Sequence, residues 1–187
     1  MKFGVASKRL CVSFCAGVLM LARLTCNGET PGIESFELGI PDHFEPARPE
    51  SLSLSPWHFL HGTNSLRWDW RQGEALVIRH GIGDPTRTGG FLNRAAFVVC
   101  LYMDAPLEGA LRFVFLAGDR ETGAFNFPLS FRGWRTARLF YDTFPEGRPS
   151  ATVDQIRIES PDNVPSGTVF LDLVRYNALV YYSASVN

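Results

Sequence analysis

From residue 65 onward, apolar and polar positions alternate with period two in short runs separated by Gly, Pro, Asp and Asn. Successive side chains of a strand point to opposite faces, so this rhythm predicts half-buried β-strands. Strands are predicted near Ser65 to Trp70, Ala75 to His80, Ala95 to Met103, Ala110 to Leu116, Phe125 to Phe131, Thr136 to Tyr141, Gln155 to Glu159 and Thr168 to Tyr176. The stretches between them, "RQGE", "GDPTRTGG", "DAPLEG", "AGDRETG", "FPEGRPS" and "SPDNVPSG", carry turn-forming residues. The Pro-, Glu- and Ser-rich segment from Pro41 to Pro56 reads as a loop crossing a surface. No segment holds a sustained helical stripe. Short strands in series without intervening helices predict an all-β fold, a sandwich of two antiparallel sheets.

Alternation also assigns faces. Leu66, Trp68 and Trp70 share one side of their strand, and Arg67, Asp69 and Arg71 the other. The tryptophans are therefore expected between the sheets, and the charged side is where a ligand can lie. Phe97, Val99 and Leu101 sort together in the same way, as do Leu111, Phe113 and Phe115, and the chain's 15 phenylalanines are a generous core supply.

The first residues follow another pattern. Lys2, Lys8 and Arg9 precede an apolar run from Leu10 to Ala22, which is a secretory signal pattern and too short for a membrane span. Cleavage is expected after Gly28, leaving one domain over residues 29–187 in a secreted or periplasmic location. A lipid anchor on Cys26 is the alternative, but Thr25 stands where such a motif usually has Gly or Ala. Cys11, Cys15 and Cys26 belong to this leader, so Cys100 is expected to be a buried, reduced thiol.

Removing the leader changes the charge. All 19 acids lie at Glu29 or beyond while every lysine is in the leader, so the mature domain carries 14 arginines and a formal charge of −5. A mildly acidic domain exerts no long-range pull on a polyanion, which argues against a nucleic acid partner. An acidic ligand would have to meet locally clustered arginines, whose planar forks match carboxylate and sulfate groups.

Three stretches in series, "HGTNSLRWDWRQGEALVIR", "FPLSFRGWRTARLFYD" and "TVDQIRIESPDNVPSGTVFLDLVRY", resemble the N-terminal domain of the chondroitin ABC lyase group of polysaccharide lyase family 8. The resemblance covers roughly Ile33 to Tyr182. It implies a jelly-roll β-sandwich similar to carbohydrate-binding modules, with at most one short helix. It also implies an accessory role in holding chondroitin- or dermatan-sulfate-like chains, with elimination chemistry in a separate α/α toroid. The expectation is a non-catalytic polysaccharide-binding domain, either a stand-alone relative or the front of a split gene. The alternative is an interaction module that packs on a separately encoded catalytic lyase domain and has no sugar affinity of its own.

Candidate polysaccharide-binding residues are Arg67 and Arg71 opposite the tryptophans, Arg135 and Arg138 in "FRGWRTAR", and Trp57 in "SPWHF". A pyranose offers an apolar C–H face and a polar rim, so an exposed aromatic flanked by cations suits an acidic sugar. Arg135 is out of phase with Arg138, so the two point to opposite faces unless a bulge intervenes. Tyr141, Arg135 and Arg138 are residue types a lyase uses, but no histidine accompanies them, and no catalytic set is assigned. A structural calcium ion is expected, if any, at Glu34, Glu37 and Asp172, whose oxygens suit a hard cation.

Overall fold

In the computed structural model, residues 32–86 and 93–181 are described. The leader assignment and the Cys26 alternative lie outside them. The strands are β1 (Phe44–Pro46), β2 (Leu52–Ser55), β3 (Ser65–Arg71), β4 (Ala75–Ile78), β5 (Asn93–Met103), β6 (Ala110–Ala117), β7 (Arg120–Pro128), β8 (Gly133–Phe140), β9 (Gln155–Glu159) and β10 (Ser166–Tyr181). They form two five-stranded antiparallel sheets, ordered β1-β4-β9-β6-β7 and β2-β3-β10-β5-β8. This is the β-sandwich that the period-two pattern predicts.

Between the sheets lies one core. Leu66, Trp68 and Trp70 of β3, Phe97, Val99 and Leu101 of β5, and Phe113 and Phe115 of β6 are all buried in it. Trp68 is 0% and Trp70 1% exposed, and the indole N–H of each lacks an acceptor. Burying an indole of roughly 200 Å² at about 25 cal/mol per Å² contributes about 5 kcal/mol, which exceeds the roughly 1–3 kcal/mol cost of an orphaned donor. The tryptophans are held in the core by area, without a polar anchor.

The sequence pattern misplaces two features. The segment from Pro41 to Pro56 is not all loop: it contains β1 and β2, each at the edge of a sheet, with a 3-10 turn at Pro49–Ser51 between them. An edge strand pairs on one side only and tolerates proline, so three residues ending in Pro46 suffice for β1, and β2 is the four-residue run LSLS set among the prolines and acids of this segment. Strand β7 starts at Arg120 rather than near Phe125, because the β6–β7 turn is confined to Gly118 and Asp119 and "RETG" belongs to the ladder. The helical content is limited to 3-10 turns among the described residues, the second at Tyr141–Thr143.

Candidate polysaccharide-binding face

The outer side of the β2-β3-β10-β5-β8 sheet is the candidate site. On β5, Ala95, Phe97, Val99 and Leu101 point into the core, so Ala96, Val98, Cys100 and Tyr102 point outward. Register then fixes their neighbours. Tyr102 lies between Phe170 of β10 and Trp134 of β8, and Phe170 pairs onward with Arg67 of β3. One step along, Cys100 lies between Asp172 and Thr136, and beyond that Val98 lies between Arg175 and Arg138. An aromatic row is thus separated by the Cys100 row from a row with a guanidinium on either side of one valine.

The first of two irregularities in β10 turns Arg175 to this face. The register against β5 shifts between Asp172 and Arg175 and again between Arg175 and Ala178, and Leu173 adopts a left-handed φ of 52°. Each shift inserts one residue, so Arg175 is aimed outward while Val174 and Tyr176, its chain neighbours, are buried in the core. Neither Arg138 nor Arg175 has a carboxylate partner among the described residues. Several other arginines are committed. Arg48 is tied to Glu74 and Glu50, Arg79 to Glu45, Arg112 to Glu121, Glu146 and Glu159, and Arg94 to Asp142.

A loop over residues 56–64 crosses the same face. The His58 ring stacks on Tyr102 with centroids 4.2 Å apart and meets Phe170 edge-on at 4.5 Å. The loop is held from below by Asp172, which is 0% exposed. Its Oδ2 accepts the amides of Leu60 at 2.7 Å and His61 at 3.0 Å, and its Oδ1 accepts the amide of Leu173 at 2.7 Å. Burial pushes the Asp172 carboxyl above the usual range, although these three amides oppose that shift. Glu37 holds the far end of the loop by accepting the amides of Thr63 and Asn64 and the Thr63 hydroxyl. Desolvation resists ionisation of Glu37, but these donors outweigh it and hold its carboxyl below the usual range. Thus fixed, the loop presents Trp57, 84% exposed, together with the exposed Phe59 and Leu60.

The sequence-selected residues separate as follows. Arg67, Arg71 and Arg138 share the outer face, and Trp57 stands on the loop above it. Arg67 is ion-paired with Asp69 at 2.9 Å, and the loop seated on Phe170 and Tyr102 divides it from the Arg138 and Arg175 pair. Arg135 has the parity of the core residue Ala137, and no register shift interrupts β8 against β5, so it does not join Arg138. Tyr141 is turned away too: its hydroxyl donates to the carbonyl of Tyr176, and burial pushes its phenol up. Glu34, Glu37 and Asp172 are not gathered into one cluster. Glu34 lies 3.3 Å from His43 while the other two serve loop amides, and no group of three metal-ligating side chains converges among the described residues. Tyr102, Arg175 and His58 were not among the sequence-selected binding residues; only the pairing of β10 with β5 and the fold of the loop bring them in.

Cys100 lies in this face, buried, with its Sγ 3.5 Å from Thr136 Oγ1. Burial pushes its thiol up, so it is the unreactive cysteine its apolar setting implies.

Comparison with known proteins agrees with this architecture. The family described as "Lyase, N terminal" matches residues 31–183. A chondroitin sulfate ABC exolyase of Bacteroides thetaiotaomicron is 33% identical over 125 residues, covering 65% of this chain and 12% of that protein. A chondroitin sulfate ABC endolyase of Proteus vulgaris is 23% identical over 164 residues, covering 72% of this chain and 16% of the relative. The chain therefore spans only a small part of the length of these relatives. Among solved structures, a family 11 carbohydrate-binding module of a cellulosomal cellulase from Clostridium thermocellum superposes with a TM-score of 0.50 at 13% identity, covering 82% of this chain and 96% of the module. That likeness is one of fold alone. With the family match extending over nearly the whole described region, the chain belongs to the N-terminal domain family of the chondroitin lyases.

Proposed function

We propose that this domain is a non-catalytic accessory module that binds an acidic, chondroitin- or dermatan-sulfate-like polysaccharide on the outer face of the β2-β3-β10-β5-β8 sheet. The single observation that carries the reading is the pair Arg138 and Arg175, two guanidinium groups without carboxylate partners on either side of Val98. Two adjacent guanidinium groups that no carboxylate neutralises make a place for anionic groups. Trp134 and Tyr102, tilted against each other at 5.4 Å, add an aromatic surface two rows away for the C–H face of a pyranose. In an exported chain, as the leader pattern suggests, such a surface would hold the polymer for a lyase active site elsewhere.

Affinity electrophoresis through chondroitin sulfate at increasing salt tests this. The domain is retarded at low salt, the retardation weakens as salt rises, and Arg138→Ala/Arg175→Ala abolishes it. Unchanged mobility of the unmutated domain at low salt overturns the proposal.

A second reading rests on a different observation. Trp57, Phe59 and Leu60 project from a loop whose backbone two carboxylates fix, and no charged side chain lies between them in sequence other than the imidazole of His58. A rigid apolar projection suits a protein surface, and here the partner would be a catalytic lyase domain. Mixing the two as separate polypeptides and measuring association of the unmutated and Trp57→Ala proteins separates this reading from sugar binding.

A further inference from the structure

Beside Arg175 the fold leaves an open cavity of about 550 Å³, walled by Gly32 and Ile33, by the turn from His80 to Gly83 and by the β10 stretch from Arg175 to Leu179. Its volume falls within the roughly 300–1,000 Å³ of small-ligand sites. The cavity has a structural cause: the second register shift of β10, between Arg175 and Ala178, falls in its wall.

Three groups give the cavity a chemical character. The exposed imidazole of His80 lies flat on the buried Tyr176 ring, with centroids 3.8 Å apart and planes 16° apart, so one of its faces is backed, and the tilted His43 ring stands 5.6 Å from it. His80 Nδ1 is 2.6 Å from the carbonyl oxygen of Gly81. A carbonyl only accepts, so this contact assigns a proton to Nδ1 and leaves Nε2 to meet a hydroxyl. Arg175 supplies a cation with no carboxylate partner among the described residues. Asn177, also in the wall, donates through Nδ2 to the Asp84 carbonyl.

We propose that this cavity is a subsite for one charged sugar residue of the polysaccharide, with the pyranose stacked on His80 and its anionic substituent on Arg175. The inference rests on the reading of the sheet face as an acidic-polysaccharide site and extends it, since Arg175 belongs to both. A flat backed ring beside a cation, with Nε2 to meet a hydroxyl, matches a uronate or a sulfated hexosamine better than a neutral sugar, which would leave the guanidinium unanswered.

The test is titration of the domain with a chondroitin 4-sulfate tetrasaccharide and with an unsulfated chondroitin tetrasaccharide, followed by calorimetry and by backbone amide resonances. With the subsite in use, the Gly81 and Gly83 amides shift on titration. His80→Ala weakens binding about tenfold, the size of one aromatic stacking contact, and His80→Phe, which keeps a flat ring, recovers most of it. Equal binding of the two tetrasaccharides assigns Arg175 to the carboxylate, and loss of binding of the unsulfated one alone assigns it to sulfate. If Arg138→Ala weakens binding while His80→Ala does not and the Gly81 and Gly83 amides stay still, the cavity is no subsite although the sheet face still binds. If neither tetrasaccharide nor the long polymer binds, both proposals fall together.

Discussion

The Oδ2 of Asp172 on β10 accepts the backbone amide of Leu60 at 2.7 Å, across 112 positions of sequence. A buried carboxylate is expensive unless it is fully hydrogen-bonded, and here the donors come from the loop that carries Trp57. The acid that resembles a misplaced charge in an apolar strand is what fixes the most exposed tryptophan in place.

Replacing Asp172 by Ala leaves the amides of Leu60 and His61 without that acceptor. We expect a loss of about 1–3 kcal/mol in urea unfolding, the usual cost of stranding buried donors, together with faster exchange of both amides. Full stability with unchanged exchange rates would show that the carboxylate does not restrain the loop.

The tryptophans separate sharply in consequence. Trp68→Ala empties a core site and is expected to cost about 3–5 kcal/mol, whereas Trp57→Ala, at a residue 84% exposed, stays within about 0.5 kcal/mol. Trp68→Phe keeps most of the ring and removes the orphaned N–H, so it costs well below the alanine change. Urea midpoints of the three variants check the order.

Acid sensitivity has a definite sign. Glu37, Glu74 and Asp142 are held below the usual carboxylate range, Glu37 by loop amides against desolvation and the other two chiefly by Arg48 and Arg94. Their stabilisation is present above the unfolded-state values and is lost as pH falls through the folded ones, so the urea midpoint drops from about pH 5 to about pH 3. Asp172 runs the other way: burial raises its folded-state value, so its contribution is full at low pH and is lost as pH rises through that value. Glu37→Gln therefore blunts the acid drop and Asp172→Asn steepens it. A midpoint independent of pH over this range would contradict the assignment.

Gly167 sits against the Trp70 ring, where an added Cβ would meet the Cζ2 and Cε2 atoms. Gly167→Ala is expected to cost about 1–3 kcal/mol through overpacking, read as a lower thermal midpoint, and a variant as stable as the parent would mean that the indole can shift.

Cys100 provides a probe of the whole sheet. With its thiol buried and pushed up, it reacts with a disulfide reagent only on unfolding, so the labelling rate rises in parallel with the urea transition. Prompt labelling of the folded domain would place the thiol at an open surface.

The amino-acid sequence by itself determined the all-β architecture, the burial of Trp68 and Trp70, and the split between Arg135 and Arg138, because each follows from period-two alternation within one regular strand. It left β1 and β2 hidden, since an edge strand needs only half a ladder and admits proline. Tertiary structure alone decided the site. Continued alternation from Phe170 would send Val174 outward and Arg175 inward, and the one extra residue in β10 between Asp172 and Arg175 reverses that. Such bulges are settled by pairing with a strand some 75 residues away, as between Arg175 and Val98, and that partner is invisible to any local rhythm.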